Sequence, residues 1–420
     1  MPLTHYASLF SRVGLGVAAS AVSIAVLTSA RLRSLPAPKF LRIFSALFVA
    51  SRLALFTIIF FLLRLEPRGD IPAFYWTQAL AVRNGALPYR DFQSSYAPLH
   101  PYIDAAVLAI WHSPLAIILF AIVCECVLVS LWLRKGNNFF LEAHVRTAAL
   151  FYLCSAVSLQ FVTVDGQDNV AVALLLTLGI FLLHRSRVLL SGFCVGVAIA
   201  AFKFLPLVYT PLYLIASRRL RWAIGFAVGC VPIYALCMLK HLPFLQPLLF
   251  EGSRTGSGNL PYLIETIIGV DVPPRVWDII LLAVLGGILA IIFRYTRHAS
   301  PEGRLRIIVF GIAAITLAII LFSKKSWPPY LLLALFPICL SLSKRKAAVF
   351  GFAIFNVVAV TEPSVWAVTL EQSNALKLHH LLALHNAHAF VLLALELALC
   401  GGYAVLLRCA LRRVSAESHH

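Results

Sequence analysis

The sequence predicts an all-α polytopic membrane protein, and three observations support this fold class. Of the 420 residues, 61% are hydrophobic and only 12% are charged. A soluble domain is about half apolar and about one quarter charged. Apolar runs of roughly 17–25 residues, the length that a helix needs to cross a bilayer, recur along the chain. The strict alternation of apolar and polar residues that would indicate a β-barrel is absent from the sequence.

The distribution of charge agrees with this fold class. Lysines and arginines outnumber aspartates and glutamates by 35 to 17, which gives a net charge of +18. Most of these bases fall in short segments between apolar runs, the distribution that fixes topology in membrane proteins. A protein that binds nucleic acid would instead need a soluble basic face. We therefore expect the lipid bilayer as the partner, and no nucleic acid.

The apolar runs predict the membrane-spanning segments in order. The first two cover about 13–30 and 43–63, and the region 103–133 makes one net crossing. The later segments are 148–164, a helix ending at His184, a broken pair over 189–215, a run reaching Lys240, and 276–293, 307–322, 330–340, 349–360 and 381–407.

The positive-inside rule assigns the loops to the two sides of the membrane. The basic segments are predicted to be cytoplasmic: 31–42, 134–146, 184–187, 217–222, 294–306, 344–346 and 408–413. The other loops are then extracytoplasmic: 64–102, 164–169, 203–206, 240–275, 323–329 and 361–380. With about 13 spans and the N-terminus outside, every loop falls on its assigned side of the membrane. We expect residues 1–420 to form a single membrane domain.

The residues that commonly bind metals do not form a recognisable site. The nine cysteines fall within apolar runs or at their edges, without zinc spacing, and we expect them to be small core residues. Four histidines between 379 and 388 have no cysteine or carboxylate at ligand spacing. We therefore predict no metal and no cofactor.

The polar stretch 64–102 interrupts the apolar sequence, and we expect the chemistry there. It carries two well-spaced acids, Asp70 and Asp91, together with four tyrosines and several prolines. A carboxylate such as Asp70, half-shielded at a membrane interface, could take a proton from a hydroxyl. It could instead be a solvated loop acid, or an acid paired with Arg68. Asp91 lies in a turn-like run and could contact a hydroxyl or only bond its own backbone.

Lysines occur at two breaks in the apolar sequence. Lys203 interrupts an apolar hairpin just before Pro206. A lysine at such a position is costly unless it meets an anion, such as a phosphate, or reaches the membrane interface. Lys324 and Lys325 form a basic pair on the predicted outer side, where an exposed pair would contact lipid headgroups.

Two further polar segments are predicted on the same side. Trp327 and Tyr330 suit either an interfacial aromatic belt or a wall against which a sugar stacks. The run 165–169, Asp-Gly-Gln-Asp-Asn, opens a helix. Its acids and amides are ordinary helix-capping residues, although carboxylates and amides are also the usual partners of sugar hydroxyls.

Four motifs, taken in chain order, resemble the integral-membrane glycosyltransferases of the GT-C superfamily, most closely glycosyltransferase family 87, the polyprenyl-phosphate-mannose-dependent group. Asp70 and Tyr75, followed by 84–92 and 96–98, look like the first outer loop of that family. The run 165–169 looks like its Gly-Gln-x-Asn helix start, 192–206 is similar to its glycine-rich helix ending in Lys-x-x-Pro, and 323–330 looks like its late Ser-x-x-x-Trp-x-x-Tyr segment. The resemblance covers about residues 43–340.

This resemblance implies a GT-C-like bundle that transfers one sugar, with inversion, from a polyprenyl-phosphate sugar to a hydroxyl of a lipid or glycan acceptor. Mannose is the favoured sugar. The active site would face the periplasm from the plasma (inner) membrane, or the lumen of the endoplasmic reticulum in a eukaryote. Asp70 would be the catalytic base, and the donor phosphate would contact Lys203 and Lys324 or Lys325. The residues implied in sugar and acceptor binding are Tyr75, Tyr89, Asp91, Gln167, Asp168, Trp327 and Tyr330.

Two alternatives remain open on the sequence. A flippase or transporter of a lipid-linked sugar would share the basic pocket, but such proteins usually carry paired broken helices in both halves, and the break at Lys203 has no second copy. An enzyme like an O-antigen ligase or polymerase would need a large late outer loop, and the predicted second outer loop, 240–275, is only of modest length.

Overall fold

A computed structural model describes residues 2–29, 32, 34–253, 256–343, 348–371 and 377–417. The predicted cytoplasmic segment 344–346, parts of the predicted segment 31–42 and part of the predicted loop 361–380 lie outside the described residues. Within the described ranges the chain is helical, and the only extended pairing is an isolated bridge between Pro88 and Phe92.

Nineteen α-helices are labelled here in chain order over these described ranges. The first ten are α1 Pro2–Thr28, α2 Ala37–Thr57, α3 Trp76–Arg83, α4 His100–Ile110, α5 Pro114–Lys135, α6 Glu142–Leu153, α7 Ala156–Ser158, α8 Asn169–His184, α9 Val188–Ala201 and α10 Thr210–Ser217. The remaining nine are α11 Leu220–Leu239, α12 Gln246–Ser253, α13 Leu260–Ile268, α14 Pro274–Thr296, α15 Pro301–Phe322, α16 Leu335–Leu342, α17 Ala348–Glu371, α18 Leu378–Ala383 and α19 Ala387–Ala416.

Short turns of other helical types join several of these helices. The π-helical turn Ile58–Leu62 extends α2, Ile71–Tyr75 precedes α3, and Leu159–Val164 extends α7. The 3-10 turns are Gly136–Asn138, Leu205–Tyr209 and Pro328–Leu333.

Eight helical segments of the described chain are long and apolar enough to cross a membrane. They are Phe10–Leu27, Ala37–Leu62, Pro114–Asn138, Leu220–Leu239, Pro274–Thr296, Pro301–Phe322, Ala348–Leu370 and Ala387–Ala416. The bent pair Glu142–Leu153 and Ala156–Val164, with an angle of 51°, would make a ninth. The protein is therefore an all-helical, multi-pass membrane protein, as predicted.

The predicted count of about 13 spans is not confirmed, because several predicted spans are too short for an isolated crossing. Three shorter apolar segments, 169–184, 188–201 and 205–217, fall below the length of a full span. The predicted span 330–340 coincides with a 3-10 turn and the eight-residue helix α16, which is buried along its whole length. A short helix of this kind is shielded by protein, so its length is not set by the thickness of the bilayer.

Helix α15 lies at the centre of the bundle, with 89% of its apolar window buried, compared with 22% for the neighbouring α14. A buried ion pair joins three of the surrounding segments. Arg52 on α2 donates to Glu125 on α5 at 3.2 Å and to Ser158 at the end of α7 at 2.6 Å. Since Arg52 and Glu125 are fully buried, this contact fixes the base of the π-helical turn that leads to residue 165.

Helices α9 and α11 pack closely through glycines, which sets the position of Lys203. A Cβ on Gly192 would lie 2.1 Å from the carbonyl oxygen of Trp222, and a Cβ on Gly225 would lie 1.9 Å from that of Leu189. Only small residues allow two backbones to approach so closely. Helix α9 then ends at Ala201, where the segment before α4 joins it through hydrogen bonds from Ala97 N to Phe202 O and from Leu99 N to Ala200 O, at 3.0 and 3.1 Å.

Candidate active site

A cavity of about 570 Å³ opens where the first polar segment, the turn 165–169 and the segment 327–330 meet. Its volume is within the range of roughly 300–1,000 Å³ that is common for small-molecule sites. It is lined by Arg12, Gly69, Asp70, Phe74, Ser95, Tyr96, Phe161, Asp165, Gln167, Lys203, Trp327, Pro329, Tyr330 and Pro363. Five of the residues singled out in the sequence therefore line one cavity, and they come from four separate segments of the chain.

Two of the lining carboxylates lie at the ends of π-helical turns. Asp70 precedes the turn Ile71–Tyr75, and Asp165 follows the turn Leu159–Val164. A π-helical turn widens the helix and turns its end residues away from regular register, and such turns often occur at functional sites. Here both turns direct an aspartate to the same cavity.

The turn 165–169 contacts the charged or titratable lining groups Arg12, Asp70 and Lys203 directly. Its shape depends on Gly166, which has a φ of +62° and sits against two isoleucines. A Cβ at this position would lie 2.8 Å from the side chain of Ile71 and 2.9 Å from that of Ile118. Only glycine combines this left-handed backbone with such a close approach.

Gln167 holds Asp70 in place. Its Nε2 donates a hydrogen bond to Asp70 Oδ2 at 2.9 Å. In the described part of the chain no cation lies within ion-pair distance of Asp70, and its Oδ1 accepts no hydrogen bond from protein. Asp70 is also partly exposed to the cavity. It is therefore a positioned carboxylate with one oxygen available to a ligand.

Asp168, on the same turn, is instead surrounded by a lysine, a tyrosine hydroxyl and a histidine. Its Oδ1 lies 2.6 Å from Lys203 Nζ and accepts a hydrogen bond from the hydroxyl of Tyr75 at 3.1 Å. Its Oδ2 lies 3.3 Å from His100 Nε2, and the other ring nitrogen of His100 lies 3.3 Å from Asp104. Burial alone would raise the pKa of Asp168, but Lys203 and His100 outweigh it and hold this pKa below its usual range.

Lys203 is fixed on one side and faces the cavity on the other. Besides its contact with Asp168, its ammonium group donates to Asn169 Oδ1 at 3.1 Å. It also lies 5.4 Å from the ring centre of Tyr96 and 5.7 Å from that of Tyr330, within the range of cation–π attraction. The side chain is 14% exposed, so a cationic group at a defined position is presented to the cavity.

Asp165, the first residue of the turn, contacts a second cation of the cavity. Its Oδ1 lies 3.4 Å from a guanidinium nitrogen of Arg12 on α1 and accepts a hydrogen bond from Gln160 at 3.1 Å. Burial raises the pKa of Asp165, and the charge of Arg12 only partly offsets this. Two aspartates of this turn therefore form ion pairs with cations of the cavity lining: Asp165 with Arg12, and Asp168 with Lys203.

The aromatic part of the wall comes from the segment 327–330. Trp327 and Tyr330 both line the cavity, and Trp327 makes an edge-to-face contact with Trp366 at a centroid distance of 5.1 Å. The segment is braced from behind by the loop 256–259. There, Gly256 N donates to Lys324 O at 2.7 Å, and Asn259 caps α13.

Lys324 and Lys325 are not among the residues that line this cavity. The ammonium group of Lys324 is buried, lies 2.9 Å from Glu265 Oε1 and donates to Val272 O at 3.3 Å. Lys325 lies 3.5 Å from Asp278 in a more exposed position. Both lysines are therefore engaged with acids of the segment 265–278.

Tyr89 and Asp91 support the first polar segment and also lie outside the lining of the cavity. The hydroxyl of Tyr89 donates to the carbonyl oxygen of Tyr96. Asp91 accepts a hydrogen bond from Leu87 N at 2.8 Å and pairs with Arg90, also at 2.8 Å. The hydrogen bond from Arg90 is the main cause that lowers the pKa of Asp91 to about 2.

Four residues of the site were not predicted individually from the sequence, although Tyr96 and Asp165 belong to the segments 96–98 and 165–169 that it indicated. Arg12, Tyr96 and Asp165 line the cavity, and His100 lies directly behind it. For Arg12 a signal exists, since an arginine inside the apolar window of α1 is costly without a partner. For His100 the signal is weak, because a single histidine at a helix start carries no spacing information.

Comparison with known proteins identifies the family of this chain. Curated proteins gave no significant match. The family model described as glycosyltransferase family 87 matches residues 96–323, which is more than half of the chain. The match includes Gln167, Asp168 and Lys203, begins after Asp70 and ends before Lys324 and the aromatic segment 327–330. The chain therefore belongs to glycosyltransferase family 87, and it is a membrane-embedded glycosyltransferase.

Proposed function

We propose that this glycosyltransferase moves one sugar, with mannose favoured, from a polyprenyl-phosphate sugar to a hydroxyl of a lipid or glycan acceptor. The transfer inverts the configuration of the anomeric carbon. Residues 1–420 act as one catalytic domain. The cavity faces the periplasm from the plasma (inner) membrane, or the lumen of the endoplasmic reticulum in a eukaryotic cell.

One observation carries this proposal: Asp70 and Lys203 line the same cavity in opposite electrostatic states. Asp70 is held by an amide and has no cationic partner among the described residues, whereas Lys203 is an ammonium group fixed by Asp168. An inverting transfer needs a base on one side of the anomeric carbon and positive charge on the other. In this cavity Asp70 can act as the base and Lys203 can supply the positive charge.

The reaction follows from these two groups. The acceptor oxygen attacks the anomeric carbon, its proton passes to Asp70, and the bond between the anomeric carbon and the phosphate oxygen breaks. The electron pair of that bond remains on the phosphate, where the charge of Lys203 stabilises it. The hydrogen bond from Gln167 to Oδ2 keeps the carboxylate of Asp70 oriented. Because this bond occupies only one carboxylate oxygen, the other oxygen can accept the proton.

The remaining lining groups form the binding surface for sugar and acceptor. Trp327 and Tyr330 offer aromatic faces against which a sugar ring packs. Asp168 holds Lys203 rather than the sugar, and the hydroxyl of Tyr75 donates to Asp168. We therefore assign the donor phosphate to Lys203, with Lys324 and Lys325 retained as structural cations.

The alternatives differ in how well the findings support them. Membership of a glycosyltransferase family makes the protein an enzyme, so the flippase alternative is set aside. A ligase- or polymerase-like enzyme would need a large extracytoplasmic loop late in the chain. Among the described residues between α11 and α14, which exclude 254–255, the helices are instead the short α12 and α13.

The test uses the purified protein in lipid nanodiscs with radiolabelled polyprenyl-phosphate mannose and a membrane-lipid extract as acceptor. We expect Asp70→Asn to lower turnover by about 100- to 10,000-fold, the usual contribution of a positioned base, while donor binding is retained. Inversion is read from the anomeric configuration of the product by NMR. Donors carrying arabinose, glucose or galactose establish whether mannose is the sugar transferred.

Asp91→Asn provides the matched control, because this other aspartate of the first polar segment pairs with Arg90 outside the cavity lining. We expect it to retain most of the turnover. Equal losses in the two variants would contradict a specific role for Asp70. Wild-type protein that transfers sugar only from a nucleotide-activated donor would contradict the lipid donor while leaving the family assignment intact.

A further inference from the structure

The main cavity adjoins a second space between α1 and α2, which we call the α1–α2 groove. This groove has a volume of about 310 Å³ and shares Arg12 and Asp165 with the main cavity. Eight of its 14 lining residues are apolar, among them Gly14, Leu15, Leu55 and Phe60. The shared residues make it a continuation of the candidate active site rather than a separate pocket.

Both helices that form the groove face outward along most of their length. Only 22% of the apolar window of α1 and 28% of that of α2 are buried within the protein. In a membrane protein such surfaces contact lipid chains. The groove therefore lies between lipid-facing helices and meets the polar cavity at its end.

The polar end of the groove carries two arginines as well as two acids, Glu66 and Asp165. Arg12 and Arg68 both line it. The contact between Arg12 and Asp165 is 3.4 Å long, near the upper limit for a hydrogen bond, and the side chains are 17% and 12% exposed. A guanidinium held this loosely can accept a stronger, bidentate partner, and phosphate is the anion that matches its geometry best.

We propose that the α1–α2 groove binds the first isoprene units of the donor, with the donor phosphate contacted by Arg12 together with Lys203. This rests on the proposed function, since it states how the lipid donor of that reaction is bound. A polyprenyl phosphate matches both ends of the site, with hydrocarbon for the apolar lining and an anion for the guanidinium. As the phosphate binds, it replaces Asp165 as the partner of Arg12.

A second apolar groove supplies a matched control. It lies between α17 and α19, has a volume of about 360 Å³, and its lining residues include Gly351, Phe355 and Val405 but no charged side chain. A Cβ on either Gly14 or Gly351 would meet no atom within 4 Å. A side chain at either position therefore begins in open space, and we expect a leucine to fill part of each groove with little effect on the packing behind it.

The first experiment measures binding of sugar-free decaprenyl phosphate to the full chain in phosphatidylcholine nanodiscs, by native mass spectrometry. We expect Gly14→Leu to weaken binding by about tenfold, since it displaces one or two buried methylene groups of the ligand. Gly351→Leu should bind as the wild type does. A diazirine on the first isoprene unit should label peptides of α1 and α2.

The second experiment distinguishes the contribution of the phosphate to binding from that of the hydrocarbon chain. We expect Arg12→Gln to weaken binding of decaprenyl phosphate by about tenfold or more, the usual effect of losing a charge-assisted hydrogen bond, and to leave binding of decaprenol unchanged. Phosphatidylglycerol added to the nanodiscs tests a generic anionic lipid. Displacement of decaprenyl phosphate by equimolar phosphatidylglycerol would overturn the proposal.

The proposal would also be overturned if Gly14→Leu and Arg12→Gln both bound decaprenyl phosphate as the wild type does. Equal losses of binding in Gly14→Leu and Gly351→Leu would overturn it as well. Sugar transfer is measured in the same preparations, so that the two proposals fail separately. The expected binding pattern without sugar transfer would support the groove and contradict the transferase reaction. Normal transfer and normal donor binding in Gly14→Leu would support the transferase and contradict the groove.

Discussion

The lysines that the sequence nominated for phosphate binding have opposite surroundings in the structure. Lys203 lines the main cavity and is held by Asp168 and Asn169 of the turn 165–169. Lys324 and Lys325 lie outside the cavity lining and pair with acids of the segment 265–278. A lysine at a break in an apolar sequence can thus line a cavity where a ligand binds, or it can form an ion pair away from that cavity.

The difference lies in what each lysine faces, because the carboxylates of Asp168 and Glu265 each contact three groups but only Lys203 lines the cavity. Asp168 serves Lys203, Tyr75 and His100 together, so it fixes the ammonium group without enclosing it. Glu265 contacts Lys324 and accepts a hydrogen bond from Trp277 at 2.9 Å, and this pair lies outside the cavity lining. A buried pair of this kind contributes to packing and topology, whereas a partly exposed cation beside a cavity remains available for catalysis.

Among the lysine and glycine variants that test this comparison, the largest effect is expected for Lys203→Met, which removes the ammonium group from the cavity. We expect turnover to fall by about 100- to 1,000-fold, as for other enzymes that lose one group stabilising the transition-state charge. Lys203→Arg keeps the charge and should retain more activity. Transfer from polyprenyl-phosphate mannose in nanodiscs measures both, and thermal unfolding shows whether the protein remains folded. A variant that is folded and fully active would remove Lys203 from the mechanism.

The second prediction concerns the turn that holds Lys203. Gly166→Ala introduces a Cβ that would lie 2.8 Å from Ile71 at a φ of +62°, so the turn must shift. A displacement of about 1 Å in a positioned group is enough to cost up to about 100-fold in rate. We expect turnover to fall by about tenfold or more while donor binding changes less.

Gly286→Ala provides the control for this substitution. Gly286 lies within α14, and a Cβ there would meet no atom within 4 Å. That variant should therefore fold and turn over as the wild type does. Unchanged turnover in Gly166→Ala would show that the turn tolerates displacement and does not position the catalytic groups.

The fold was largely predictable because each helix carries its own apolar run. The sequence alone located α5, α11 and α14 within a few residues, and it located the apolar parts of α1, α2 and α15, although these three helices begin well before the predicted spans. The number of spans was not predictable, because α16 and other short helices are shielded by neighbouring helices rather than by their own length. Hydropathy reports how apolar a segment is, but not whether lipid or protein surrounds it.

For the candidate site, the sequence nominated Asp70, Lys203 and Gln167, because polar groups in apolar surroundings are costly and therefore conspicuous. It could not show that Asp168 binds Lys203, since these residues join only when α9 packs back against α8. Nor could the sequence show that Lys324 forms an ion pair with Glu265, which precedes it by 59 residues. Partners at such separations are set by tertiary packing and leave no local pattern.

The third prediction tests the structural side of the comparison. Lys324→Met leaves Glu265 buried without its cation, and breaking a buried pair in this way typically costs about 3 kcal/mol of unfolding free energy. The double variant Lys324→Met with Glu265→Gln removes both charges and should recover part of that stability. Thermal unfolding in nanodiscs measures both variants, and turnover of the folded fraction should remain near that of the wild type. A large fall in turnover without loss of stability would instead place Lys324 in the reaction.

The smallest effect is expected for Lys325→Ala, and this variant tests the comparison most directly. Its ion pair with Asp278 is 3.5 Å long, and the two side chains are 27% and 46% exposed. Exposed pairs of this kind contribute at most about 1 kcal/mol, so the unfolding temperature, kcat and KM should stay close to the wild-type values. Lys203 and Lys325 are both lysines at breaks in the apolar sequence, so a difference between their variants isolates the effect of the cavity. If Lys325→Ala lowered turnover as much as Lys203→Met, the phosphate would lie at the segment 323–330, and the cation that binds the leaving group would come from the late part of the chain.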